Sequence, residues 1–324
     1  MMAGAMLLLC GARAQDARSA PASRSRVVTD ETGRRVAVPL EVNRIVSLAP
    51  SLTETIYALG LDSKLVGDTD YCDTPPAAKS KPHVGSILNP SLEAIVALHP
   101  DLVLAAANSA NRRETVESLE YLGIPVYASD PHTVRGMLDS ITRIADLAGA
   151  APQGDARQGD SLVARLQARL DALHHRLADL PPAHVLFVVW EDPLITVGPN
   201  TFIADALRWA GAESVVVAQQ DWPQISIEEV VRLQPDYIVL AAAHQDSSAA
   251  PSNEAQLKDF RARPVWRELR AVEAGHVIAV NDAIIRPSPA LIDVIEQLAR
   301  DLHPDVFDKT AAAAIHTEHP SCAL

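Results

Sequence analysis

The stretches SLEAIVALHPD (91–101) and SIEEVVRLQPD (226–236) decide the fold. Ser91/Ser226, Glu93/Glu228, Val96/Val231, Leu98/Leu233, Pro100/Pro235 and Asp101/Asp236 are identical at a constant offset of 135 positions. Each copy has the form of a short helix that stops before Pro-Asp and leads into an apolar run, LVLAAA (102–107) or YIVLAAA (237–243). Neither run alternates with polar residues, which is how a strand buried on both faces of a parallel sheet reads. Looser matches extend the repeat: LTETIYALG (52–60) with FIADALRWAG (202–211), and LGIPVYASD (122–130) with EAGHVIAVND (273–282). A repeat of this length predicts two similar lobes.

Within the first lobe the expected order alternates strand and helix. The strands are RIVSLA (44–49), KLVGDT (64–69), LVLAAA and IPVYASD (124–130), with helices through Tyr57, to near Leu98 and through Glu120. The second lobe opens with VLFVVW (185–190) and repeats the plan. Such alternation with short connections predicts right-handed crossovers, parallel sheets and helices on both faces, an α/β architecture of two Rossmann-like lobes.

Between the lobes Val163, Leu166, Leu170, Leu173, Leu177 and Leu180 recur at spacings of three and four, one apolar stripe along one helix from about Gly154 to Leu180. Its length is roughly 38 Å at 1.5 Å per residue, and Pro181-Pro182 stops it. The helix reads as a stiff spacer between lobes. A partner-binding coiled coil is the alternative, with fewer than four heptads and one copy against it. The expected division is residues 1–14 as a leader, 15–41 as an N-terminal segment, 42–150 as lobe 1, 151–182 as the linking helix, 183–310 as lobe 2 and 311–324 as a tail.

The chain's 324 residues suit two such lobes, since a single core tends to stop growing near 250 to 300 residues. Apolar residues are 48% and charged residues 21%, so disordered and fibrous classes lack compositional support. A net charge of −13 argues against a broad footprint for nucleic acid or an anionic membrane. MMAGAMLLLCGARAQD (1–16) resembles a secretory leader without its basic start, with Ala12-Arg13-Ala14 as the cleavage site. Leu9 immediately before Cys10 makes a poor lipidation site, so export to the periplasm without an anchor is the expectation. Cys72 and Cys322 then remain, an even pair that an oxidising compartment could bridge or leave as two free thiols.

Two α/β lobes bridged by one long helix, with SLEAIVALHPDLV (91–103) in the first and DWPQISIEEV (221–230) in the second, resemble the periplasmic substrate-binding proteins of ABC importers for cobalamin, ferric siderophores and haem. The resemblance covers roughly residues 42 to 305. It is nearest to the cobalamin branch, through LVGDTDYCDTPP (65–76) and the Trp-Pro-Gln of DWPQ. It implies a binding protein, acting as a monomer, that hands a metal chelate to membrane subunits, and it implies no resident cofactor. In the family each lobe presents one Glu to an arginine pocket of the transporter; these positions are Glu93 and Glu228. One exposed carboxylate per lobe, related by the repeat, suits charge-assisted contact with a two-fold-related Arg pair. A solvated helix Glu is the alternative for either residue alone.

Ligands of open parallel sheets bind beyond the C-terminal ends of strands, which points at Tyr71, Trp190, Trp222 and Arg286. Tyr71 follows strand 64–69 and matches the family's cleft Tyr; Trp190 is expected to end strand 185–190; Trp222 is the motif Trp. Aromatic faces bury much area at little entropic cost, which suits a large flat chelate. Core packing is the alternative for each of the three. Arg286, in IRPSP (285–289), is similar to the family's Arg-x-Ser-Pro segment and could meet ligand or position its own turn. Trp209 and Trp266 read as core.

Two features separate the chain from the cobalamin branch and from its neighbours. Ile87 and Ala106 stand where the cobalamin relative carries tryptophans. Anionic siderophores would want several cleft arginines, for which Arg286, Arg112 and Arg113 are the candidates; haem would want an axial ligand such as Tyr71.

No GxSxG, HExxH, Walker A or GxGxxG pattern occurs, so no enzyme is expected. His83, His99, His132, His244 and His276 lack ligand spacing and read as surface or capping residues rather than a bare-metal site. The tail HTEHPSC (316–322) reads as a frayed terminus.

Overall fold

The computed structural model describes residues 24–107, 113–149, 156–241 and 253–307. The leader, the tail, Arg112, His244 and Cys322 lie outside the described residues. The N-terminal segment, which carries no clear signal in the sequence reading, forms an antiparallel hairpin of β1 (Ser25–Thr29) and β2 (Arg35–Pro39). Asp30 closes its turn by accepting from the Thr32 hydroxyl at 2.8 Å and the Arg34 N–H at 2.8 Å. Val36 and Val38 enter the core of lobe 1.

Lobe 1 continues with β3 (Ile45–Ser47), α1 (Pro50–Ala58), β4 (Leu65–Gly67), α2 (Leu92–Ala97), β5 (Leu102–Ala106), α3 (Arg113–Tyr121), β6 (Val126–Ser129) and α4 (Val134–Gly149). Its sheet is parallel, in the order β4-β3-β5-β6. The hairpin meets the outer strand, where the Glu31 N–H donates to the Ala128 carbonyl at 3.1 Å. An otherwise open edge is thereby covered.

After α5 (Ala156–Leu177), lobe 2 runs through β7 (Ala183–Val188), β8 (Trp190–Glu191), β9 (Leu194–Ile195), α6 (Phe202–Trp209), β10 (Ala212–Ser214), α7 (Ile227–Leu233), β11 (Tyr237–Ala241), α8 (Asn253–Ala262), α9 (Pro264–Arg267), α10 (Arg270–Glu273), β12 (Val277–Val280) and α11 (Leu291–Leu302). Its main sheet is parallel in the order β10-β7-β11-β12, the same permutation as in lobe 1.

The repeat holds at the level of single backbone atoms. Ser91 and Ser226 cap α2 and α7, each hydroxyl accepting an N–H at 3.2 Å. Such a cap stabilises a short helix by about 1 kcal/mol. Both helices end at a left-handed residue before proline, His99 and Gln234, each with φ of 46°. The following Asp then pins the neighbouring strand. Asp101 accepts from the N–H groups of Asn43 and Arg44, both at 2.9 Å, and Asp236 accepts from that of His184 at 3.2 Å.

The linking helix α5 has 22 residues, about 33 Å of rise. Its buried line is Leu162, Leu166, Leu170, Leu173 and Leu177, with Val163 half-buried beside it. Leu162 and Val163 flank the stripe on either side, and the longer Leu162 takes the buried place expected of Val163. Gly159 lets α5 approach α4, since a Cβ there would lie 2.5 Å from that of Ala145. Arg169 ties α5 to α11 with both guanidinium contacts to Glu296 at 2.9 Å and one to Asp293 at 2.6 Å. One apolar cluster runs from the hairpin through α4 and α5 into α6 and α11. Of the two tryptophans read as core, Trp266 is buried against Phe260, and Trp209 is half-buried and edge-on to His174.

Candidate functional site

The C-terminal edges of the two sheets meet through a polar contact. α1 follows β3, and its Glu54, the helix's sole charged residue, crosses to lobe 2. There Ser288 Oγ donates to Glu54 Oε2 at 2.5 Å, and Arg286 Nη1 lies 3.3 Å from Glu54 Oε1. Arg286 also donates to Asp282 at 2.7 Å. Burial raises the Glu54 carboxyl above the usual range, against the pull of Arg286 and Ser288. A second cross-lobe bond runs from the Val134 N–H to Asp205 Oδ2 at 2.8 Å. Nothing in the sequence marks Glu54 except a lone carboxylate in an otherwise uncharged helix.

Tyr71 stands on the loop after β4 and is 37% exposed. The loop is held against α1 by buried polar contacts. Thr53 Oγ1 lies 2.8 Å from Ser47 Oγ and 3.1 Å from Cys72 Sγ, and Thr69 Oγ1 lies 3.3 Å from that sulfur. Burial pushes the Cys72 thiol up, so it stays protonated and inert. Next to it, Asp68 is fully buried and bonded to His83 Nδ1 at 2.8 Å. Burial drives its carboxyl up to about 6, more than the His83 contact lowers it.

Trp190 does not end the first strand of lobe 2. β7 stops at Val188, and Trp190 begins a separate two-residue strand that pairs with Ile195. The Asp192-Pro193 turn that follows diverts the chain into a hairpin, and the Trp190 indole N–H donates to the Asp192 carbonyl at 2.8 Å. The segment 221–225 lies on the other side of β9. The Thr196 N–H donates to the Pro223 carbonyl at 3.1 Å, and the Ile225 N–H to that of Leu194 at 3.1 Å. A small ribbon therefore presents Trp190 and Trp222 together, 61% and 54% exposed. Gly198 permits the ribbon, because a Cβ there would lie 2.0 Å from the Gln220 carbonyl oxygen.

Arg286 is 15% exposed at its side chain and engaged by two carboxylates, Glu54 and Asp282. Ile87 is half-buried and Ala106 buried. The histidines are scattered: His83 on Asp68, His132 3.2 Å from Asp130, His276 stacked on Tyr237 at 4.4 Å, and His99 at the helix end. Cys72 is 1% exposed; its candidate partner Cys322 lies outside the described residues.

Glu93 and Glu228 each occupy the second position of a Ser-capped helix, and both are exposed. Glu93 accepts from the Ser91 hydroxyl at 3.2 Å. The Glu228 carboxyl is held below its usual range by its own backbone N–H and by the Ser226 hydroxyl. The N-terminus of α7 adds to this preference for the ionised form of Glu228.

The family model described as periplasmic binding protein matches residues 45–283. Over 318 residues the chain is 30% identical to an ABC transporter substrate-binding lipoprotein, YvrC, of Bacillus subtilis, covering 95% of this chain and 96% of that one. Over 257 residues it is 30% identical to a vitamin B12-binding protein of Vibrio campbellii, covering 79% and 87%. Among solved structures, the periplasmic vitamin B12 binding protein BtuF of Vibrio cholerae superposes with a TM-score of 0.68 at 28% identity, covering 81% of this chain and 97% of that one.

Proposed function

The chain belongs to the periplasmic binding protein family, the substrate-binding components of ABC importers, and from that premise we propose that it captures a corrinoid-type chelate between its lobes and delivers it to a membrane permease. The observation that carries the reading is the exposure of Tyr71, Trp190 and Trp222 in the segments beyond the C-terminal ends of the parallel strands of both lobes. Exposed aromatic faces on opposed lobes offer a planar macrocycle two apolar walls. The vitamin B12-binding relatives support the choice of chelate.

Binding is the whole of the activity in this reading: the residues orient and enclose, and no bond is made or broken. Glu93 and Glu228 engage arginines of the permease, one from each lobe. Residues 1–14 serve as the export leader. Because α5 packs on elements of both lobes, delivery proceeds by small hinge changes rather than wide closure.

Titration of the purified mature protein with cyanocobalamin, followed by calorimetry, tests the reading, with haem and a ferric siderophore run in parallel. The expected result is tight binding of one equivalent of cobalamin. Binding of another chelate with no response to cobalamin overturns the ligand assignment.

A further inference from the structure

We infer that the cleft selects its ligand by charge, admitting a neutral or cationic chelate that bears amide groups and excluding an anionic one, with Glu54 setting the selection by occupying Arg286. This rests on the binding reading above and adds a substrate class to it.

The described loops at the C-terminal ends of β4, β7, β10 and β12 hold three basic side chains, Lys79, Lys81 and Arg286, among several carboxylates, and Lys81 is spent on the Asp62 carbonyl ahead of β4 at 2.7 Å. Asp70, Asp73, Asp192 and Asp221 are exposed, and no Lys or Arg pairs with them among the described residues. Glu191 is already matched by Arg263. Arg113, at the start of α3, pairs along its own helix with Glu117 at 2.7 Å. Unpaired carboxylates around an apolar-walled opening repel an anion strongly, because field lines concentrate in a cleft.

Arg286 cannot offset this. Its guanidinium faces Glu54 at 3.3 Å and Asp282 at 2.7 Å, so two negative groups answer one positive one. A ligand carboxylate seeking the bidentate contact that guanidinium favours would have to displace Glu54. Displacement would strand a carboxylate whose side chain is 6% exposed.

The same contact leaves complementary capacity. Glu54 Oε1 and Arg286 Nε are buried and without a hydrogen-bond partner among the described residues. An amide is the neutral group that matches both once the lobes part slightly, its N–H donating to the carboxylate and its C=O accepting from the guanidinium. A carboxylate supplies only acceptors, and Glu54 repels it.

The test is a charge series on one scaffold. Cyanocobalamin, cationic aquacobalamin and the monocarboxylates made by hydrolysing one side-chain amide are titrated into wild type, Glu54→Gln and Asp282→Asn. Haem and its dimethyl ester are run alongside. Two ionic strengths, about 0.01 M and about 1 M, give Debye lengths of roughly 30 Å and 3 Å. The monocarboxylates should bind about tenfold more weakly than cyanocobalamin at low salt, with the gap closing at high salt. Either substitution should narrow the low-salt gap by about threefold, a ratio that a merely structural role would not change. Circular dichroism identifies a variant that has lost its fold, and the other variant then decides.

Corrinoid binding with no charge dependence, or a gap unchanged in the folded variants, overturns the inference and leaves the ligand reading standing. Binding of haem compounds alone overturns the corrinoid reading; preference for the ester then upholds charge selection, and preference for free haem rejects it. Silence toward every compound rejects both.

Discussion

The two lobes are alike where they build the scaffold and different in the segments that carry the exposed aromatics of the proposed cleft. Strand order recurs, and Ser cap, exposed Glu, left-handed helix end and strand-pinning Asp recur at one constant offset. The cleft loops share none of this. Lobe 1 holds Tyr71 through buried side chains, Thr53, Thr69, Cys72 and the Asp68–His83 pair. Lobe 2 holds Trp190 and Trp222 through backbone pairing of a short ribbon. A duplicated frame thus tolerates two unrelated ways of fixing an aromatic wall, because loop geometry is constrained by its own local bonds and little by the sheet beneath.

The strongest test of the likeness is to reverse both shared carboxylates. Glu93→Lys with Glu228→Lys should abolish uptake in cells while chelate affinity in vitro stays at the wild-type value. Unchanged uptake would break the equivalence of the two helices as docking points.

The difference between the loops is sharpened by Gly198→Ala. The added methyl meets the Gln220 carbonyl at 2.0 Å, so the ribbon must shift. A loss of about 1–3 kcal/mol in chemical denaturation is expected, together with weaker chelate binding as Trp222 moves. Retained stability and affinity would show that the ribbon does not position that wall.

The pinning aspartates should prove unequal. Asp101 serves two N–H groups and Asp236 one longer bond, with the Asp236 side chain 57% exposed. Asp101→Ala should cost about 1–2 kcal/mol and Asp236→Ala under about 1 kcal/mol. Equal denaturation midpoints for the two variants would contradict this.

Asp68 gives lobe 1 a pH dependence of its own. Its folded pKa of about 6 lies above the unfolded value, so the folded state binds the proton more tightly. That contribution is fully present below about pH 4 and is lost as pH rises through about 6, on the order of 2 kcal/mol. Urea midpoints between pH 4 and 7 should carry this falling component, and Asp68→Asn should remove it.

Much of the frame was legible because it rests on local rules. Apolar runs without alternation mark buried parallel strands, and leucines at spacings of three and four mark α5. The positions of Glu93 and Glu228 on matching helices follow from the repeat alone. The first strand of lobe 2 ends two residues before Trp190 although VLFVVW continues the apolar pattern, and only the Asp192-Pro193 turn marks where it stops. The hairpin at 25–39 carries no local mark in the sequence because it gains its stability by covering β6, a neighbour some 90 residues away.

What the amino-acid order determined by itself was the duplicated α/β frame, its linking helix and the aromatic residues placed beyond the strands, since each depends on contacts within a few residues or on exact repetition. The tertiary structure alone decided that Arg286 is already taken by Glu54, 232 positions away, that Cys72 and Asp68 are buried, and that Trp190 and Trp222 share one ribbon. Charge pairing and burial are properties of the assembled neighbourhood, and distant segments supply that neighbourhood only when the chain has folded.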